Sequence, residues 1–176
     1  MPYRIQQRIG VAAPASAAWK TVAALEHWAK WNPVYVEVEG RLSIGALWTL
    51  KRVAAGRTVV EQAKVVDWVP NEQLVWTRSI SLMATAISYI EIEALTETGC
   101  IVAVGEIYSG LVGERIGHFR RRSLNASFRA LCEAIKSRAE ADWDGAPDAP
   151  VPPPKPRTKP KPTVKPATMS MLGRRK

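Results

Sequence analysis

Cysteine and histidine are scarce in this chain: Cys100, Cys132, His27 and His118 are all it has. With no Cys-x-x-Cys spacing there is no sign of a redox or zinc pair, and two isolated histidines exclude a histidine-rich metal site. The cysteines are therefore expected to be reduced and buried. No apolar run approaches the roughly 20 residues needed to span a bilayer. No charged leader with an apolar core opens the chain, so it reads as cytoplasmic. A nucleophile elbow, a phosphate-binding glycine loop and a zinc-helix motif are all missing as well. No cofactor is implied.

What is present amounts to one ordinary core: 176 residues, 47% hydrophobic, enough for a single domain. The net charge of +9 is unevenly spread. Residues 1–144 hold 17 Lys and Arg against 15 Asp and Glu, whereas 145–176 hold eight against one. Nine of the 13 prolines also fall in those last 32 residues, which contain no aromatic side chain. Such a segment cannot bury enough apolar surface to offset its ordering entropy, so a disordered Pro/Lys-rich basic tail is expected there. Its expected role is either solubilising or weak binding to polyanions such as nucleic acid or an anionic membrane surface.

Periodicity divides residues 1–144. Tyr3, Ile5, Ile9 and Val11 alternate with polar residues as in a half-buried strand, with Gln7 the one polar residue on the apolar face. Ala15, Ala18, Trp19, Val22 and Leu25 recur at helical spacing after Pro14, and Glu26–Trp31 forms a second, shorter helix stopped before Pro33. Val34, Val36 and Val38 alternate with Tyr35, Glu37 and Glu39. Further strands are expected near 46–53, 57–69, 72–80, 85–95 and 100–109, joined by connections too short for crossover helices and so paired antiparallel as a meander. From Leu111 to Trp143 there is no proline, and Ile116, Phe119, Leu124, Phe128, Leu131 and Ile135 mark one long amphipathic helix. Arg120, Arg121, Arg122, Arg129, Lys136 and Arg138 decorate it as a solvated face; no nucleic-acid motif accompanies them.

The order strand, two short helices, six strands, long helix resembles the START-like (SRPBCC) superfamily of helix-grip proteins. It resembles in particular bacterial members described as polyketide cyclase/dehydrase-like or lipid-transport-like. The resemblance rests on Pro14–Trp19, Leu25–Pro33, Gly40–Gly45, Val65–Pro70 with Leu74–Trp76, and Gly105–Gly110, and it covers about residues 1–140. It implies an α+β helix-grip fold: a curved seven-stranded antiparallel sheet, two short helices after strand 1, and a long C-terminal helix packed in the sheet. Between them it implies an apolar cavity closed by tryptophans. The domain is placed at 1–144 and the tail at 145–176.

Alternation nominates the cavity wall. Leu74, Trp76, Arg78 and Ile80 share one face of their strand, Trp48 and Leu50 another, and Ala86, Ser88, Ile90 and Ile92 a third. Arg78 either holds a ligand carboxylate or phenolate with its paired donors, or snorkels to solvent or pairs with Glu91 or Glu93. In the first case Arg78→Leu should weaken an acidic ligand and leave thermal stability nearly unchanged. Glu106 faces the cavity with a raised pKa if Val102, Val104, Glu106 and Tyr108 point inward, and is solvated in the other register. His118 lies in the first turns of the long helix. The candidate ligand contacts are Trp28, Trp31, Trp48, Trp76, Arg78, Ser88, Tyr89, Glu106, His118 and Phe119, although fold stabilisation alone could account for the tryptophans. The function expected is binding of a small hydrophobic or aromatic molecule, as a carrier or sensor. The enzymatic alternative is polyketide cyclisation or dehydration using Arg78, Tyr89, Glu106 or His118.

Overall fold

A computed structural model describes residues 2–54 and 56–150. The strands β1 (Tyr3–Val11), β2 (Tyr35–Glu39), β3 (Leu47–Ala54), β4 (Arg57–Val69), β5 (Gln73–Ser81), β6 (Ala84–Thr96) and β7 (Gly99–Ser109) form one antiparallel sheet in the order β1-β7-β6-β5-β4-β3-β2. From β2 to β7 each strand pairs with its chain neighbour, the meander that short turns impose. β1 closes against β7, with Tyr3 opposite Tyr108 and Val11 opposite Cys100. Between β1 and β2 lie α1 (Ala15–Ala23), a single tight turn at Leu25–His27 and α2 (Trp28–Trp31). α3 (Gly113–Asp142) follows β7 and packs chiefly on β1, β7 and α1. This is the helix-grip fold.

α3 buries one stripe: Gly113, Gly117, Leu124, Phe128, Leu131, Cys132, Ile135 and Ala139. With 30 residues it is about 45 Å long at 1.5 Å per residue, longer than the strands it packs on. Phe119 was expected in the stripe and is not: it stands 92% exposed. Two residues past Gly117 it is turned about 200° away, while Arg120, three past Gly117 and four before Leu124, falls on the stripe. Accordingly Arg120 is not on the solvated face, and its Nη1 is buried with no hydrogen-bond partner.

Both cysteines are free and buried, and burial chiefly raises each thiol to about 11. Contacts with the folded core continue past residue 144. Asp148 accepts from the Ser16 N–H (3.0 Å) and from its hydroxyl, at the start of α1, while the Asp148 N–H donates to Glu97 O (2.8 Å). Residues 151–176, where most of the basic tail lies, are outside the described residues.

Candidate functional site

The inner face of the sheet carries charge where an apolar gap was expected. Alternation sets Arg52 with Trp48 and Leu50 on β3, Glu61 with Ala63 and Val65 on β4, Arg78 with Leu74 and Trp76 on β5, and Glu106 with Val102, Val104 and Tyr108 on β7. The open register of β7 is thereby decided: Glu106 points inward and is fully buried. Its carboxylate accepts from Arg78 Nη2 (2.6 Å), Ser88 Oγ (3.0 Å) and Tyr108 OH (2.5 Å). Arg78 Nη1 donates to Glu61 Oε2 at 2.9 Å, and Arg52 Nη2 to Glu61 Oε1 at 3.3 Å. Arg78 therefore neither snorkels nor pairs with Glu91 or Glu93. Those glutamates lie on the outer face with Arg4 and Arg8.

Electrostatics follow from this geometry. Burial pushes the Glu106 carboxyl up, but Arg78 and Arg52 and the hydrogen bonds from Tyr108 and Arg78 outweigh it and hold the group below its ordinary value. The raised value expected from the sequence is thus reversed. Burial opposes the charge of Arg78, yet Glu106 beside it leaves the guanidinium more firmly protonated than usual. Burial, then Glu106, pushes Tyr35 to about 12, and the same two causes raise Tyr108. Two arginines and two carboxylates joined in this way cancel in charge.

Around them lie aromatic rings. Trp28 meets Trp31, Tyr35, Trp48 and Trp76 with centroids 5.7–6.3 Å apart, and Trp76 meets Tyr35 at 5.5 Å and Trp48 at 5.8 Å. Trp28 Nε1 donates to Val22 O and Trp48 Nε1 to Arg41 O, which fixes both indoles. Trp76 Nε1 has no partner, and neither does Arg52 Nε or Arg78 Nε. Three buried N–H donors on one inner face thus lack a protein acceptor, where most buried donors have one.

Of the ten predicted contacts, Trp28, Trp48, Trp76, Arg78, Ser88 and Glu106 meet in this cluster, and Trp31 touches its edge through Trp28. Three do not join it. Tyr89 is on the opposite face, because Ser88 and Ile90 point inward; its hydroxyl accepts from Arg4 Nε at 2.7 Å. His118 is exposed and lies tilted against Tyr3 with ring centroids 4.2 Å apart, and Phe119 is in solvent. Four members of the cluster were not anticipated as site residues: Arg52, Glu61, Tyr35 and Tyr108. The two charged ones could have been found, since each lies two residues from an inward apolar side chain. Tyr35 could not, because β2 shifts register between Tyr35 and Glu37 and so reverses the alternation.

A separate groove of about 670 Å³ lies outside the sheet, between α1, the Glu26–Trp31 segment and the end of α3, with Lys20, His27, Trp31, Arg138, Trp143 and Asp148 among its walls. Among the described residues no cluster of three or more His, Cys, Asp or Glu is placed to hold a metal ion. No helix among them is long and apolar enough to cross a membrane.

The family model described as polyketide cyclase / dehydrase and lipid transport matches residues 2–140. No curated protein matches the sequence. Among solved structures the chain is similar to the di-domain ARO/CYC StfQ from the steffimycin biosynthetic pathway (TM-score 0.65, 13% identity), covering 80% of this chain and 51% of that one, so this chain spans about half its length. It is similar to the Zhui aromatase/cyclase from Streptomyces sp. R1128 (0.66, 16%, covering 83% and 99%). A START superfamily protein from Mycobacterium smegmatis is also similar (0.64, 17%, covering 78% and 97%). At these identities the likeness is one of fold.

Proposed function

We propose, from the premise that this chain belongs to the polyketide cyclase/dehydrase and lipid transport family, that it binds a small aromatic or hydrophobic molecule bearing a neutral acceptor oxygen. The molecule lies against the inner face of the sheet, among Trp28, Trp48, Trp76 and Arg78. One observation carries this reading: the N–H groups of Trp76 Nε1, Arg78 Nε and Arg52 Nε are buried without an acceptor. A carbonyl or phenol oxygen would satisfy them. A carboxylate suits the site less well, because the Arg78 charge is already balanced by Glu106 and an added anion would leave a net buried charge.

Binding is favoured over cyclase chemistry by the state of Glu106. Held ionised by Arg78 and by hydrogen bonds from Ser88 and Tyr108, it is a poor general acid, and three of its roughly four acceptor sites are taken. Titration with prodan, a neutral aromatic ketone whose emission reports polarity, tests the reading. A saturable blue shift with quenching of tryptophan is expected, and 2-naphthoate should bind at least tenfold more weakly. No uptake of prodan, or preference for the acid, would overturn it.

A further inference from the structure

At the end of the molecule where β3 turns into β4, β5 into β6 and β7 into α3, apolar side chains stand in water. Leu82, at the tip of the β5–β6 turn, is 105% exposed, Leu111, between β7 and α3, 88%, and Met83 53%. Val59 and Val60 on the β3–β4 arm are exposed as well. Two of these segments touch: a Cβ at Gly110, whose φ is +96°, would sit 2.3 Å from Met83 O, so Leu111 follows directly on the β5–β6 tip. The β4–β5 ladder runs from Val69–Gln73 only as far as Lys64–Thr77. Beyond it the arm 57–63 and the residues 78–81 continue as separate hairpins, bridged on the inner face by Arg78 and Glu61.

Single exposed leucines need no explanation, but turn tips are ordinarily polar, and here two adjoining connections present Leu82, Met83 and Leu111 together. Cations lie on the adjoining segments, with one exposed acid, Glu114, among them. Arg57 lies on the β3–β4 arm, and Arg115, Arg121 and Arg122 lie in the first three turns of α3, flanking Phe119. All four arginines are exposed, and among the described residues none has an ion-pair partner.

We infer that this end docks on an anionic lipid bilayer, with Leu82, Met83 and Leu111 entering the boundary between headgroups and acyl chains and the four arginines facing lipid phosphates. Protruding apolar tips with unpaired cations on the adjoining segments match a surface that is negative outside and apolar a few ångströms below. A second copy of the chain would instead bring like charges together. The inference does not depend on the ligand proposed above, although the split between β4 and β5 opens at the same end.

Co-sedimentation of the full chain with phosphatidylcholine–phosphatidylglycerol vesicles tests it, with phosphatidylcholine vesicles as the comparison. Partitioning is expected only with the anionic vesicles. Leu82→Asp with Leu111→Asp should reduce it tenfold or more by removing the inserted side chains. Arg115→Ala with Arg121→Ala and Arg122→Ala should reduce it about a hundredfold, at roughly fivefold per arginine. All five positions are exposed, so circular dichroism should be unchanged in both variants. Equal partitioning of the Asp variant and the parent would overturn the inference and assign binding to the basic tail. Absence of partitioning, or a dimer in solution that the Asp substitutions abolish, would overturn it as well.

Discussion

Replacing Arg78 by leucine removes both of its ion pairs, to Glu106 at 2.6 Å and to Glu61 at 2.9 Å. The side chains of Arg78 and Glu106 are 2% and 0% exposed, so water cannot take over. Breaking a buried pair by removing one partner costs about 3–5 kcal/mol, because the other charge is stranded. For a domain of this size about 1 kcal/mol moves Tm by roughly 2–4 °C, which puts the expected loss at roughly 6–20 °C at neutral pH. The sequence alone suggested almost none. In the parent, the folded pKa of Glu106 lies below its unfolded value. Its contribution is therefore present above the unfolded value and lost as pH falls through the folded one. In the variant Arg78 is gone and burial dominates, so Glu106 is pushed up, and the penalty shrinks as acid protonates it. Thermal melts of parent and variant at pH 7 and pH 4 should show a large gap at pH 7 and a much smaller one at pH 4, and Glu106→Gln added to the variant should recover much of the loss at pH 7. A fall in Tm below about 2 °C at pH 7, or equal falls at both pH values, would refute the reasoning.

Three further outcomes are expected. A chain ending at Pro150 should melt with the parent and lose salt-sensitive retention on heparin, since residues 151–176 hold eight Lys and Arg and no acid; one ending at Asp144 also loses the Asp148 contact to Ser16 and should be less stable by about 1 kcal/mol. Unchanged heparin retention after the first truncation would move the contact to the arginines of α3. Gly105→Ala should lower stability in urea by about 1–3 kcal/mol, because the new Cβ would lie 2.3 Å from the Tyr89 hydroxyl and 2.7 Å from Ile5 O. The backbone oxygen cannot withdraw without loosening the β1–β7 ladder, and a change below about 0.5 kcal/mol would show that it can.

The sheet was legible because its strands alternate cleanly: Leu74, Trp76 and Arg78, and Ala86, Ser88, Ile90 and Ile92, lie on the faces their spacing indicates. β7 was ambiguous for a physical reason. It runs between β1 and β6, and both of its faces are covered, so Ala103 and Gly105 are buried as well as Val102 and Val104. Arg52 and Glu61 were overlooked because a charged residue in an alternating strand is ordinarily assigned to solvent, and only its partner, distant in sequence, reverses that. Phe119 and Arg120 exchanged roles because steps of three to five admit more than one helical phase, whereas the glycines at 113 and 117 fix it: each allows close approach, to Tyr108 and Tyr3 respectively.

The polar centre is what separates this interior from an ordinary core. An apolar replacement of similar volume is commonly as stable as a buried ion network, so stability alone gives little reason for Arg52, Glu61, Arg78 and Glu106 to lie under tryptophans. A network serving only to tie β3, β4, β5 and β7 together would be expected to satisfy its donors. This one leaves Arg52 Nε, Arg78 Nε and Trp76 Nε1 without protein acceptors, at a cost of about 1–3 kcal/mol for each that stays unmade. An occupant that supplies acceptor oxygens while leaving the charge balance undisturbed removes that cost. Apolar surface alone cannot, and neither can an anion without leaving a net buried charge. On the function proposed above, the arrangement selects for a neutral oxygen on an aromatic frame, with the rings of Trp28, Trp48 and Trp76 supplying contact and the arginines supplying direction.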